Sequence, residues 1–303
     1  MKNRCSVDAF SSYHPLVNFL YFALVLIYSM VLMHPACLII SLITAFAYSI
    51  YLKGKKAVKF NFFVLLPMLV VTAIINPAFN HEGVTILTYL PNGNPLTLES
   101  ILYGVAAATM LAAVVCWFSC YNEIMTSDKF VYLFGRIIPA LSLILSMILR
   151  FVPRFKNQIK VISNAQKCVG RDVSNGSILQ RARNGITILS SMITWSLENA
   201  IESADSMRSR GYGLPGRTAF SIFNLEYRDK KALTAIGVLG FCVLLGQYFG
   251  ILYFRYYPTM KGHTLGIGIF FYLPFLAYAA LCIVPIIINK QEEKQWKATQ
   301  LNS

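Results

Sequence analysis

Apolar stretches separated by short polar links run through most of this chain. They cover Leu16–Met33, Pro35–Leu52, Phe60–Phe79, Glu99–Ser119, Val131–Leu149, Ala232–Leu252 and Leu265–Ile288. A helix that crosses a bilayer needs about 20 mostly apolar residues, and each run is close to that length. The links carry charge unequally. Lys53, Lys55, Lys56 and Lys59 crowd the link between the second and third runs, whereas Asn80–Leu98 has no Lys or Arg. Basic residues collect on the cytoplasmic side of membrane proteins, so the first link is expected inside and the second outside. Lys2 and Arg4, two spans before the basic link, agree with that assignment.

Parity then bears on the fifth run. Beyond Leu149 the chain is again strongly basic, with Arg150, Arg154, Lys156, Lys160, Lys167, Arg171, Arg181, Arg183, Arg208, Arg210 and Arg217. Both flanks of Val131–Leu149 are therefore expected to be cytoplasmic. Arg136 and Pro139 also disfavour a simple span. The run reads as a helix that lies across the inner ends of the spans or re-enters. The last two runs cross out, through Tyr253–Gly262, and back to the charged segment Lys290–Lys297. The expectation is an all-α polytopic membrane protein with six spans and both termini cytoplasmic. Its parts are a four-span bundle over residues 1–120, a basic module over 121–231, and a two-span segment with its tail over 232–303.

Composition supports a bilayer as the solvent. The 303 residues are 56% hydrophobic and 13% charged, with a mean hydropathy of +0.56, where a soluble domain has about a quarter charged residues. The net charge of +14 comes from 27 Lys+Arg against 13 Asp+Glu. Its concentration in the inner links favours the membrane explanation over nucleic-acid binding. Small residues mark two helix faces: Gly104, Ala108 and Ala112, and the pair Gly246 and Gly250. Such faces let helices approach closely, and packing inside the bundle is the favoured reading.

Two amphipathic helices stand out in the basic module. The first is expected to start at Pro153, a good first-turn residue, with Phe155, Ile159, Ile162 and Val169 on one face and Gly170 as a left-handed cap. The second is expected over about Gly185–Arg210, with the stripe Ile186, Leu189, Ile193, Leu197, Ile201, Ala204 and Met207 or Arg208. Gly211 ends it. Basic amphipathic helices of this kind lie on anionic lipid or dock into an acidic or carbonyl-lined groove of another protein, and the residues alone leave both open.

Enzymatic chemistry is not apparent. Cys5, Cys37, Cys116, Cys120, Cys168, Cys242 and Cys282 form no CxxC pair, and no disulfide framework or zinc site is expected. His14, His34, His81 and His263 lack ligand spacing. No GxxxxGK[S/T] loop occurs. Acidic residues are nearly missing from the spans, Glu99 lying at a span end, which argues against a proton relay. The chain is expected to be no enzyme, with neither cofactor nor metal.

The segment Ala204-Asp205-Ser206-Met207-Arg208-Ser209-Arg210-Gly211-Tyr212-Gly213 resembles the second signature helix of the transmembrane T component of energy-coupling factor transporters. That family's pattern is Ala-acidic-Ala-Met-x-x-Arg-Gly-Tyr. Leu149-Arg150-Phe151-Val152-Pro153 and Ala165-Gln166-Lys167-Cys168-Val169-Gly170 resemble its Leu-Arg-Phe-Ile-Pro and Ala-Gln-basic-Ala-Arg-Gly stretches. Asn76-Pro77-Ala78-Phe79, with His81 and Gly83, is similar to a segment at the outer end of its third span. The resemblance implies an energy-coupling subunit of an importer, with no ATP site of its own. It implies docking of two ABC-type ATPases on the ends of the signature helices, and of a membrane-embedded S component that captures a vitamin or metal ion. Arg210, flanked by Ser209 and Gly211, takes the place of the inserted Arg. The other tip is Cys168-Val169-Gly170, where Val169 replaces the family Arg and Arg171 or Lys167 is the substitute cation. Ile186, Leu189, Ile193, Leu197, Ile201 and Met207 would face the S component, and Met192 and Met207 suit an exchangeable surface. The competing readings are a membrane-embedded enzyme on lipid substrates and a basic lipid-binding scaffold.

Overall fold

The computed structural model describes residues 8–89, 93–135, 139–212, 214, 223–262 and 269–301. Lys2, Arg4, Cys5, Arg136, Gly213, Arg217, His263 and the start of the last apolar run at Leu265 lie outside the described residues. The helices, in order, are α1 (Pro15–Val31), α2 (Pro35–Lys53), α3 (Lys55–Phe60), α4 (Leu66–Phe79), α5 (Leu98–Ile124), α6 (Ser127–Gly135), α7 (Pro139–Cys168), α8 (Ile178–Ser209), α9 (Tyr227–Tyr248) and α10 (Ile269–Leu301). Two small hairpins pair β1 (Ile86–Tyr89) with β2 (Pro95–Thr97), and β3 (Phe254–Arg255) with β4 (Lys261–Gly262), both antiparallel. Among the described residues, five helices are long and apolar enough to cross a membrane: Pro35–Lys53, Lys55–Phe79, Leu98–Ile124, Tyr227–Tyr248 and Phe271–Gln295. The shorter apolar α1 joins them. The protein is an all-α polytopic membrane protein.

The chain divides into two compact units, one of Met1–Thr126 with Phe223–Ser303, the other of Ser127–Ile222. In the first, α1 and α2 begin alike. His14-Pro15 and His34-Pro35 each put a proline at the first helical position, and the histidine Nδ1 accepts the N–H of Leu16 (3.2 Å) or Ala36 (3.3 Å). The fixed φ of proline and a capped donor make a sharp start. Between α3 and α4 the helix widens into a π-turn over Asn61–Leu65, just before Pro67. A proline lacks the N–H and crowds the carbonyl four residues back, and a wider turn relieves that crowding.

Every fourth residue of α5 is buried: Gly104, Ala108, Ala112, Cys116, Cys120 and Ile124. This seam extends the small-residue face and packs inside the bundle. A Cβ on Gly104 would stand 2.8 Å from the Ala73 carbonyl oxygen of α4. Gly246 of α9 likewise meets Pro274 of α10, but Gly250 lies past the end of α9 at φ +73 with open space around it. The expected pairing of Gly246 with Gly250 on one helix face therefore does not form, because the positive-φ turn ends the helix first.

Phe10, Tyr21, Phe22, Tyr48, Trp117 and Tyr278 fill the core. One chain of polar groups crosses it: Trp117 Nε1 donates to Ser41 Oγ (3.1 Å), which shares a hydrogen bond with Ser29 Oγ (2.8 Å), and Ser29 with the Tyr278 hydroxyl (3.1 Å). Two carboxylates from segments outside the expected spans are drawn into this unit. Asp8 accepts the Tyr48 hydroxyl (3.1 Å) and the Asn289 amide. Asp229 accepts the His14 N–H (3.1 Å) and closes a capping box with Glu226. Both are buried, and the groups that satisfy them lie far away in sequence.

Candidate functional site

The second unit holds the residues on which the sequence expectations centre, and its helix boundaries differ from those expected. The apolar run Val131–Leu149 begins in α6 and ends in α7, and residues 136–138 within it lie outside the described residues. Pro153 does not start a helix. It lies inside α7, which already runs from Pro139, because a long helix on both sides tolerates the loss of one backbone donor. The second helix starts at Ile178, earlier than Gly185, where the Ser177 hydroxyl accepts the Gln180 N–H at 3.4 Å. A Ser N-cap outweighs the propensity cost of an interior Gly185.

α7 and α8 meet through aromatic contacts. Phe155 stacks on Phe151 and meets the edge of Trp195 at 5.6 Å, and the Arg154 guanidinium lies over Trp195 at 5.5 Å. Ile188, Met192 and Asn199 are buried on the same face of α8 as Trp195. Met192 is thus buried and does not belong to an open surface as the resemblance implied. The stripe Ile186, Leu189, Ile193, Leu197 and Ile201 is separate. Its members are 53–67% exposed, and at about 100° per residue they centre roughly 140° around the helix from the buried set. Met207 is half-buried. α8 therefore carries two apolar faces, one used within its unit and one open.

The helix tips share one backbone design. After α7, the Arg171 N–H reaches back to the Gln166 carbonyl (2.9 Å) and the Gly170 N–H to that of Lys167 (3.0 Å), with Gly170 at φ +80. After α8, Tyr212 bonds Met207 (3.1 Å) and Gly211 bonds Arg208 (3.0 Å), with Gly211 at φ +78. Both are Schellman turns, in which a left-handed glycine satisfies the last carbonyls of the helix. The turns correspond residue by residue. Cys168-Val169-Gly170 matches Ser209-Arg210-Gly211, Lys167 matches Arg208, and Arg171 matches Tyr212. Val169, 72% exposed, thus holds the place of Arg210. Neither expected substitute stands there: Lys167 is two residues back and pairs with Asp172 at 3.5 Å, and Arg171 lies beyond the glycine.

The loop after the first tip has its own order, which the sequence expectations missed. Asp172 accepts the Ser174 N–H (3.0 Å) and the Asn175 amide (3.4 Å). The Ser174 backbone and side-chain donors hold its carboxyl below the ordinary aspartate range, with Lys167 adding to the effect. Arg181 Nε donates to the Val173 carbonyl (2.7 Å) and Asn184 Nδ2 to that of Asp172 (2.9 Å). The signal was present in Asp172-Val173-Ser174-Asn175-Gly176-Ser177, a string of turn formers ending on an N-cap. Among the described residues, no three His, Cys, Asp or Glu side chains gather as metal ligands. The tips present exposed side chains, Val169 on one and Arg210 on the other.

The family model described as cobalt transport protein, CbiQ, matches residues 14–220. An energy-coupling factor transporter transmembrane protein EcfT of Lactobacillus helveticus is 37% identical over 94 residues, 31% of this chain and 34% of that protein. The EcfT of Streptococcus thermophilus is 39% identical over 101 residues, 33% and 38% of the two chains. That of Staphylococcus aureus is 31% identical over 112 residues, 37% and 42%. The chain thus matches well under half the length of these relatives.

Proposed function

The chain belongs to the cobalt transport protein family, CbiQ, and from that premise we propose that it is the energy-coupling membrane subunit of an ATP-driven importer. The observation that carries the reading is the pair of matched Schellman tips, with Arg210 exposed at the apex of one. In this reading each tip docks on one of two ABC-type ATPase subunits, through Cys168, Val169, Gly170 and Arg171 on one side and Ser209, Arg210 and Gly211 on the other. An Arg fork binds a carboxylate or several carbonyls at once. The open stripe of α8, from Ile186 to Ile201 with Met207 beyond it, receives an S component that captures a vitamin or metal ion. ATP-driven motion passes from the tips along α7 and α8. The segment 121–231 is the coupling module, between membrane parts 1–120 and 232–303, and both termini are cytoplasmic. The subunit sits in the cell membrane, takes up no nucleic acid, and catalyses no reaction itself.

Support comes from the relatives' names, which describe transmembrane proteins of energy-coupling factor transporters, and from the open, apolar character of the α8 stripe. The test is Arg210→Glu in the full chain with its ATPase subunits co-expressed. Removing an interfacial Arg that makes charge-assisted bonds costs about 2–5 kcal/mol, so co-purification falls by tens to thousands-fold while the chain stays in the membrane. Unchanged co-purification and uptake would show that this tip does not dock.

A further inference from the structure

We propose that Asp172 is a positioning residue: it seats the turn after α7 on the start of α8, so that Val169 and the first turns of α8 move as one body. This deepens the reading of the tips as docking points and rests on it only for the consequence, not for the geometry. The nine residues from 169 to 177 join two long helices. A link of that length has no reason to hold a fixed direction unless its own groups tie it down. Asp172 ties it in two directions. Its carboxylate collects the turn through the Ser174 N–H and the Asn175 amide, and faces the Lys167 ammonium on the last turn of α7. Its backbone carbonyl accepts Asn184, and that of the next residue, Val173, accepts Arg181, both from the first two turns of α8.

The strengths of these contacts identify what matters. Lys167 is 64% exposed, and an exposed ion pair contributes little. Hydrogen bonds from a backbone N–H to an ionised carboxylate are stronger and directional, so the Ser174 contact and the two α8 side chains do the seating. The Lys167 pair has another effect: it draws toward the loop the cation that corresponds to Arg208 of the second tip, leaving Val169 as the apex group. A load applied at Val169 then enters α8 at Arg181 and Asn184 as well as α7 along its axis. The first tip is therefore mounted on both helices.

The test uses the full chain in nanodiscs, spin-labelled at Cys168 and Ser190→Cys, with the remaining cysteines replaced. In the parent the distance distribution between the two labels is narrow. Asp172→Ala widens it at least twofold, and so do Arg181→Met and Asn184→Ala, which lie outside the turn. Asp172→Asn, which keeps an acceptor for Ser174, restores most of the narrowness. A width unchanged by Asp172→Ala, or by both α8 substitutions, overturns the proposal. A second arm adds the co-expressed ATPase subunits with ATP and vanadate. Nucleotide trapping leaves the Cys168–Ser190 distance unchanged in the parent and shifts it in Asp172→Ala; an equal shift in both also overturns the proposal. If the subunits fail to bind the parent at all, the docking reading fails, and the nanodisc result alone decides the role of Asp172.

Discussion

Two glycines on α9 give opposite expectations for the same substitution. A Cβ built on Gly246 stands 2.4 Å from Pro274 Cβ and 2.6 Å from Pro274 Cγ, on the facing helix α10. Carbon atoms rest about 3.5–4.0 Å apart, so Gly246→Ala forces the helices to separate by on the order of 1 Å. The proline ring cannot rotate out of the way. Overpacking of this kind costs about 1–3 kcal/mol. Gly237, on the same helix, has nothing within 4 Å of its Cβ position. Ala gains up to about 1 kcal/mol over Gly in a helix, but membrane helices keep much of their structure when the bundle separates, so little of that gain appears in bundle stability. Gly237→Ala is therefore expected within about 1 kcal/mol of the parent. Gly246→Ala is expected to fall below it by about 1–3 kcal/mol, where 2 kcal/mol is roughly a thirtyfold change in the folded fraction. Unfolding in mixed micelles titrated with SDS, followed by thiol labelling of the buried Cys116 and Cys120, reads the difference. If Gly246→Ala unfolds at the same midpoint as Gly237→Ala, the close approach of α9 and α10 at Pro274 is wrong.

Trp117→Phe keeps most of the buried volume but removes the indole donor from Ser41, and the loss is expected at about 1–3 kcal/mol by the same titration; a Ser41→Ala partner mutation that does not reduce this penalty would refute the pairing. Burial lowers the pKa of His34, whose Nδ1 must be unprotonated to cap α2. The unfolded chain then binds the proton more readily, so this contribution is full above the ordinary histidine pKa of about 6.5 and is lost as pH falls through and below it. The acid sensitivity of unfolding should shrink in His34→Asn, which caps without titrating, and an identical pH dependence would count against the cap. At the first tip, Val169→Glu buries an unpaired charge in any apolar groove and should abolish ATPase co-purification, while Val169→Ala should be mild; full assembly by Val169→Glu would place this tip outside the interface.

Hydropathy alone revealed most of the membrane helices. The apolar runs before Ser119 and the run from Ala232 correspond to helices because a spanning helix is a one-dimensional property of composition and length. Gly170 and Gly211 were equally legible, since a glycine after an amphipathic run has few uses other than a left-handed cap. What escaped depends on distant partners. Asp8 and Asp229 read as residues of polar segments, yet each is buried by groups from other helices, Tyr48 and Asn289 in one case and His14 in the other. Met192 read as part of an exchangeable surface because methionine is apolar and adaptable, and only the contact of Trp195 with Phe155 shows which side of α8 faces inward. Pro153 misled because a proline that starts a helix and one tolerated inside it look the same locally. The place of Val169 opposite Arg210 was legible from the resemblance, and the hydrogen bonds of both turns give it a shared backbone geometry.

The central claim is that the two matched tips are docking points for ATP-binding subunits, and thiol crosslinking in the assembled membrane complex tests it most directly. Cys168 at the first tip and Ser209→Cys at the second occupy equivalent places, and Ile144→Cys, exposed near the start of α7, serves as the reference. With a short bifunctional reagent and co-expressed ATPase subunits, both tip positions are expected to give an ATPase adduct and the reference position none. Adducts from the reference position alone, or none from either tip while the subunits remain bound, would contradict the account.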